Sequence, residues 1–443
     1  MIDSTRTFIN SVLNTIKAPI KACIRWKHIA TSMIGVPVLE LFGIHWKNGM
    51  RDRVFEEKSC FFEGRKIGQL KYEMQKNGYE VPVLELSSED EYEMGYCQGY
   101  LLGKEIDRLF NLVLKPMIAL AQVATGDFRG NFFRKQIEVI TIPEEYRKEI
   151  NGLVKGIHQY AKDYDVPIAL TEELVLNAHK LTDIYKSILC QKIFGIAFFN
   201  SMGCSTAVVK KGVQTGVCRT LDWPSMGMMG KYTLLRRHTH CGMGVEMQTF
   251  PGIIGALTAF NEKGLVAIIN EVGTVSKEGV PYNLLTRKII DSAANVNEAK
   301  AMIDDPTYIA ASSHHLTLAD ASHAINFQMH VLEDCKYVAR ELGYDEQNKY
   351  LVVTNHAFDH HGVMIDKSNA DSSSLKRFSL MQKNLEIELS QEQDITSVMK
   401  KALKSVNVKD TVSAAVYTFS EQGQVLPQEY VCDDYFAAEH LIT

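Results

Sequence analysis

The chain has 443 residues, and 48 Lys plus Arg against 53 Asp plus Glu leave a net charge of −5. That length holds one large or two ordinary domains with ample core, and the slightly acidic balance excludes nucleic acid as a partner. Nine scattered cysteines without paired spacing favour free thiols and a reducing compartment.

Residues 1–45 form a basic amphipathic segment. Phe8, Ile9, Val12, Leu13 and Ile16 recur at helical spacing, and Arg6, Lys17, Lys21, Arg25 and Lys27 supply only positive charge. Two readings stay open for it, a terminal helix packed on the body and a helix touching a membrane surface. A cleavable signal peptide would carry its apolar core earlier, with a small-residue cut site behind it. No run reaches the roughly 20 apolar residues of a membrane span. The longest uncharged stretch, 193–209, is broken by Asn200 and Ser201 and reads as buried core. Localisation is therefore either cytoplasmic or exported without a cleaved signal.

Residues 46–203 read as mostly helical. One pattern runs over 92–123 with a kink at Pro116, and helices over 144–164 and 171–189 continue it. A single strand, 79–86, interrupts them. From 204 the period switches to strands over 205–209, 217–221, 232–239, 244–250, 255–260 and 265–270. Turns at Lys211-Gly212 and Lys263-Gly264 are hairpin candidates. Helices over 282–294 and 297–304 follow, the second with Asn297 as N-cap. Strands at 315–320, 324–332 and 350–354, two helices across 374–403, and strands near 411–419 complete the pattern. Strands and helices in this alternation predict an α+β fold of two packed sheets with helices outside.

Chemistry concentrates at Asn200-Ser-Met-Gly203-Cys204-Ser-Thr, followed by Cys218-Arg219-Thr-Leu-Asp222-Trp223. A Gly-Cys bond heads one strand, and Arg219 and Asp222 return on its partner. This suits a cysteine released by cutting its own upstream peptide bond, whose new α-amine then serves as the base for its own thiol. Arg219 and Asp222 stand three apart and face opposite sides of an ideal strand, so pairing Asp222 with the amine requires a strand end or a bulge. Cys218 and Cys241 are expected in the core. His356 and His360 have i, i+4 spacing, but without a Glu partner they, Asp359 and His361 read as surface residues, as do His314 and His315. No metal and no cofactor is implied.

Motifs in one order carry a resemblance: Glu91-Tyr-Glu-Met-Gly-Tyr-Cys-Gln-Gly, Gly203-Cys204-Ser-Thr, Arg219-Thr-Leu-Asp222-Trp, the run from Phe260 to Asn270-Glu271, Arg287 with Asn-Glu-Ala beyond it, Leu318-Ala-Asp-Ala, Val353-Thr-Asn355-His356, and Ser372-Ser-Ser-Leu-Lys-Arg377. Together they resemble the N-terminal-nucleophile (Ntn) cysteine amide hydrolases of the acid ceramidase, N-acylethanolamine acid amidase and cholylglycine hydrolase group, with the related penicillin acyltransferases. The resemblance implies a four-layer αββα Ntn sandwich at 204–443 behind a largely helical pro-segment at 46–203. It implies Cys204 as nucleophile with its amine as base, Asp222 orienting the amine, and Arg219 beside the thiolate. Asn355 and the Asn270-Glu271 backbone would supply oxyanion donors, and Arg377 would brace the site. The separation of Cys204 from Arg219 is one residue shorter than in the ceramidase branch, a deletion placed in the turn at 210–212.

The function so implied is self-cleavage between Gly203 and Cys204, then hydrolysis of a linear amide through a thioester. A fatty acyl amide of the ceramide or N-acylethanolamine type is favoured, and the two self-cleaved chains are expected to stay associated. The alternatives are a bile-salt or penicillin-type hydrolase or acyltransferase on the same fold and, in another class, a non-catalytic membrane-associated binding protein.

Overall fold

The computed structural model describes residues 53–75, 78–115, 135, 137–189, 203–223, 228–272, 278–331, 337–343, 349–356, 372–391, 394–408, 410–432 and 437–441. The 1–45 segment, Pro116, Asn200, Ser201, Asp359, His360 and His361 lie outside them. Val54–Thr443 forms one compact unit.

The described residues open with β1 (Lys58–Phe62), β2 (Arg65–Met74) and β3 (Glu80–Ser87), then α1 (Glu91–Leu109), α2 (Glu144–Asp163) and α3 (Glu172–Leu189). The strands β4 (Gly203–Lys211) and β5 (Gln214–Asp222), a short α4 (Met228–Tyr232), and β6 (Leu234–His240), β7 (Met243–Thr249), β8 (Thr258–Asn261) and β9 (Val266–Glu271) follow. Next come α5 (Tyr282–Ser292), α6 (Val296–Ile303), β10 (His314–Ala319), β11 (Ala324–Val331), β12 (Tyr337–Gly343) and β13 (Tyr350–Val353). The chain closes with α7 (Ser372–Leu389), α8 (Ile395–Ser405), β14 (Thr411–Phe419) and β15 (Val425–Cys432).

Two sheets result, ten strands in the order β1-β2-β3-β6-β7-β8-β9-β10-β11-β12 and five in the order β13-β4-β5-β14-β15. Side-chain alternation stacks them into four layers. Val208, Val217 and Ala415 of the small sheet meet Val83, Val266 and Ile268 of the large one. Their neighbours point the other way. Ala207, Val209 and Cys218 pack on Met381 of α7 and Met399 of α8, while Ala267 and Ile269 face the helices on the outer side of the large sheet. The fold is the expected α+β sandwich in αββα order.

Several expectations need correction. The segment before 203 also supplies three strands of the large sheet, and β3 pairs in parallel with β6, so the sheet is continuous across the 203–204 bond. The N-cap of α6 is Asn295, whose side chain accepts the Glu298 N–H. Glu298 answers with an oxygen on the Ala294 N–H at 2.8 Å, so the box closes two residues earlier than Asn297. Cys241 is exposed, because it occupies the β6–β7 turn at φ 50°. His314 and His315 are buried within β10. His315 reaches Asn326 Oδ1 and the His356 carbonyl, each at 2.9 Å, which replaces the water a surface site would provide. His356 is buried as well, with Nδ1 3.0 Å from Ser374 Oγ.

The Gly-x3-Gly pattern has a steric cause. A Cβ on Gly95 or Gly99 would stand 1.9 or 2.0 Å from the carbonyls of Glu149 or Leu153 on α2, and one on Gly152 or Gly156 would meet Tyr92 or Tyr96 at 2.1 or 2.0 Å. The two backbones touch, and only glycine permits it.

That contact sets Glu149 into the core. Its carboxylate, fully buried, takes Arg236 Nη2 from β6 and Arg287 Nη1 from α5, each at 2.6 Å. Arg236 also donates to Gln98 Oε1 at 2.7 Å. Asp291 accepts from Arg287 at 3.2 Å and lies 2.9 Å from His238 Nε2. The two guanidiniums and two carboxylates neutralise one another. Glu149→Ala leaves Arg236 without a carboxylate and Arg287 with Asp291 alone, and unfolding in urea should show a loss of about 3–5 kcal/mol.

A second tie is His179 on α3. Its Nδ1 meets the Val175 carbonyl at 2.8 Å and its Nε2 accepts the Ile254 N–H at 3.1 Å. Burial pushes this imidazole down to about 4. Below about 6.5 the unfolded chain therefore takes a proton that native His179 refuses, so stability falls from that pH down to about 4 and is flat beyond both ends. Asp183, one turn on, is pushed up to about 7 by burial and acts in the opposite direction. The test is a difference: His179→Gln should lose less stability than wild type between pH 7 and pH 5, read from urea midpoints.

Candidate active site

The β4–β5 hairpin builds the site. Its register runs unbroken from Gly203↔Asp222 to Lys211↔Gln214, closed by a two-residue turn with Gly212 at φ 62°. With no register shift along the hairpin, side chains alternate strictly between the two faces of both strands. Cys204 and Arg219 share the face toward the large sheet. Arg219, fully buried, places Nη2 3.2 Å from Cys204 Sγ. Its Nη1 is pinned by the Leu257 carbonyl at 2.7 Å and by Thr258 Oγ1.

Asp222 closes β5 on the opposite face, where the backbone entering Cys204 runs. It is both a strand end and a bulge partner, since the pairing with β14 shifts between Thr411 and Ser413. Thr411 Oγ1 donates to Asp222 Oδ1 at 2.7 Å. Asp222 Oδ2 is buried without a hydrogen-bond partner among the described residues, and a Cβ on Gly203 would come 2.7 Å from it. Arg219 and Asp222 thus lie on opposite faces of β5, Arg219 beside the Cys204 thiol and Asp222 beside Gly203. Burial raises the Asp222 carboxyl above its ordinary range, with the Arg377 guanidinium partly offsetting that.

Asn355, just past β13, accepts the Cys204 N–H on Oδ1 at 2.8 Å and donates from Nδ2 to the Glu271 carbonyl at 2.9 Å. Its own N–H is held by Ser374 Oγ at 2.8 Å. Arg377 reaches in from α7, with Nη1 on the Cys204 carbonyl at 2.6 Å and on Ser205 Oγ at 2.8 Å. Its Nη2 meets Asn355 Oδ1 at 2.9 Å, and Nη1 lies 3.7 Å from Asp222 Oδ2.

Cys204, Arg219, Asp222, Asn355 and Arg377 are thus brought together. The Asn270 side chain is spent on Thr206 Oγ1 at 2.7 Å and the Val353 carbonyl at 3.1 Å, so it braces β4 against β9, and Glu271 reaches the site through its carbonyl. Sequence reasoning did not single out Thr411, and it left Ser374, inside the Ser372–Arg377 motif, without a role. A lone hydroxyl at a strand or helix start carries no signal of its own. Ser205 and Thr206 lay inside a quoted motif, unassigned.

Residues 214–422, which hold most of these groups, match the model of the family described as acyl-coenzyme A:6-aminopenicillanic acid acyl-transferase. A curated relative, protein dcd1B of Dictyostelium discoideum, is 23% identical over 256 residues, covering 56% of this chain and 49% of that protein. The match thus spans about half the relative's length. Among solved structures, a Caenorhabditis elegans ortholog of N-acylethanolamine-hydrolyzing acid amidase is similar at 18% identity and TM-score 0.37, over 48% of this chain and 92% of that one. A mutant conjugated bile acid hydrolase from Clostridium perfringens is similar at 11% identity and TM-score 0.33, over 51% and 92%. No helix among the described residues is long and apolar enough to cross a membrane.

The site depends on one cation shared by the Cys204 carbonyl, Ser205 Oγ, Asn355 Oδ1 and Asp222. Arg377→Met removes the guanidinium from the Cys204 carbonyl, Asn355 Oδ1 and a buried carboxylate. Thermal unfolding should show a loss of about 3–5 kcal/mol, with Arg377→Lys recovering only part of it because an ammonium lacks the planar fork.

Proposed function

We propose that the chain is the precursor of a cysteine amidase that cuts its own 203–204 bond and then hydrolyses the amide of an N-acyl compound. The observation that carries this reading is the convergence of Arg219 on the Cys204 thiol while Asn355, Asp222 and Arg377 surround the Gly203–Cys204 junction.

In the first step Cys204 Sγ attacks the Gly203 carbonyl carbon. A C–S bond forms, the C–N bond breaks, and the thiol proton passes to the leaving nitrogen. Water then hydrolyses the thioester, which leaves a Gly203 carboxylate and frees both the thiol and the α-amine of Cys204. Asn355 Oδ1 already holds that nitrogen, and the unused Asp222 Oδ2 lies against Gly203, where the new amine would have room. An α-amine titrates near 7.7–8.0 and needs little adjustment to act as a base.

In turnover the amine takes the thiol proton, the sulfur attacks the substrate carbonyl, and the amine returns the proton to the leaving nitrogen. Asn355 Nδ2 would exchange the Glu271 carbonyl for the tetrahedral oxyanion. Losing such a donor costs about 10²- to 10³-fold in rate. Water releases the acyl group. The fragments, 203 residues and 240 residues (443 − 203), stay associated through the β3–β6 pairing and the Glu149 ion pairs.

A fatty acyl amide is the favoured substrate. Trp223, Phe250, Leu257, Phe110, Leu114 and Leu181 line an apolar pocket, and Leu257 supplies the carbonyl that holds Arg219. A second reading, acyl transfer to an amine in place of water, is supported by the description of the matching family.

The test uses N-acylethanolamine, ceramide and bile-salt amides, with acid quenching and peptide masses. The expected result is an acyl adduct on the peptide beginning at Cys204, with turnover lowered at least about 10²-fold in Asp222→Asn. Turnover that survives Cys204→Ala would falsify the reading.

A further inference from the structure

The β6–β7 turn carries a cluster that the amidase chemistry does not use. Ligand atoms of Glu89, His240 and Cys241 all lie within 4.8 Å of one another. Cys241 Sγ is 3.3 Å from His240 Nε2, and Glu91 Oε1 is 3.5 Å from the same nitrogen. Zinc bound to sulfur at about 2.3 Å and to imidazole at about 2.0–2.1 Å in a tetrahedron sets those donors about 3.5 Å apart. The spacing is already that of a shared metal edge.

The surroundings orient the donors. His240 Nδ1 faces the Ser88 carbonyl at 3.3 Å, which fixes the tautomer that leaves Nε2 a lone pair, the usual outer arrangement of a metal-bound histidine. Glu89 Oε2 accepts the Cys241 N–H at 2.8 Å, drawing its carboxylate to the turn. Cys241 holds a left-handed φ of 50°, a conformation uncommon outside glycine and asparagine.

We propose that Cys241, His240, Glu89 and Glu91 form a surface Zn2+ site. Glu89 and Glu91 precede the 203–204 bond and His240 and Cys241 follow it, so a bound ion would staple the two fragments together. The staple rests on the proposed cut, and the site itself does not. Binding releases the thiol proton to solvent as the S–Zn bond forms, so affinity falls as pH is lowered.

The test uses full-length Cys204→Ala chain, which removes the nucleophile as a rival ligand and keeps the chain whole whether or not wild type cuts itself. Co2+ is titrated first as a spectroscopic probe, then displaced with Zn2+. The expected result is one ion per chain, a thiolate-to-cobalt charge-transfer band, and protection of Cys241 from alkylation. Adding Cys241→Ser should abolish the band. Adding Glu89→Gln or His240→Ala should weaken Zn2+ at least about tenfold, the loss that even outer-ligand changes cause. Absence of the band, or a band unchanged by Cys241→Ser, overturns the site. Zn2+ affinity unchanged by both Glu89→Gln and Glu91→Gln overturns the bridge.

Discussion

Everything downstream depends on one carboxylate. Glu149 sits at zero exposure between two guanidiniums that come from the far side of the 203–204 bond. A buried charge is tolerable only when paired and hydrogen-bonded, so the pairing fixes where α2 lies against β6 and α5. The glycine-on-backbone contact of α1 with α2 brings Glu149 to that depth. The parallel β3–β6 pairing then carries the same sheet across the bond. These contacts tie the residues before the 203–204 bond to those after it.

The site obeys a similar economy of charge. Arg219 addresses the thiol from one face of the hairpin, and Arg377 addresses the backbone of Cys204 from the other. Asp222 lies within reach of Arg377 and keeps one oxygen without a hydrogen bond. Gly203 is the residue for which a side chain would collide with that oxygen, so the residue before Cys204 must be small for the Asp222 carboxylate to approach the junction. Ser205, Thr411 and Ser374 fix the groups that hold the junction.

What the sequence made legible follows from where each residue type meets water. The helices at 144–163 and 172–189 carry strong apolar stripes and were readable to within a residue or two. β4 was readable to within two residues, and β5 was read three residues short at its start, where Gln214 and Thr215 carry no apolar signal. The strands that escaped notice include β1, β12 and β15, which lie at sheet edges. An edge strand such as KSCFF or YVARELG mixes charge into its pattern, as edges do to avoid pairing with other chains. The β2 run RKIGQLKYEM is masked in the same way. Histidines misled in the other direction. His314 and His315 look polar enough for a surface, yet a strand interior satisfies them with Asn326 and backbone carbonyls. Cys241 looks apolar enough for the core, yet it sits on a turn. The catalytic candidates were legible as an ordered set of motifs, whereas their hydroxyl supports were not, because a single Ser or Thr acquires meaning only from its distance to something else.

The central claim is that Cys204 becomes the first residue of a separate chain. Intact masses of wild type and Cys204→Ala, incubated at mildly acidic and at neutral pH, test it most directly. The account predicts that wild type resolves into two fragments ending at Gly203 and beginning at Cys204, while Cys204→Ala keeps a single mass. Wild type that stays whole under every condition, or Cys204→Ala that is cut at the same bond, would contradict it.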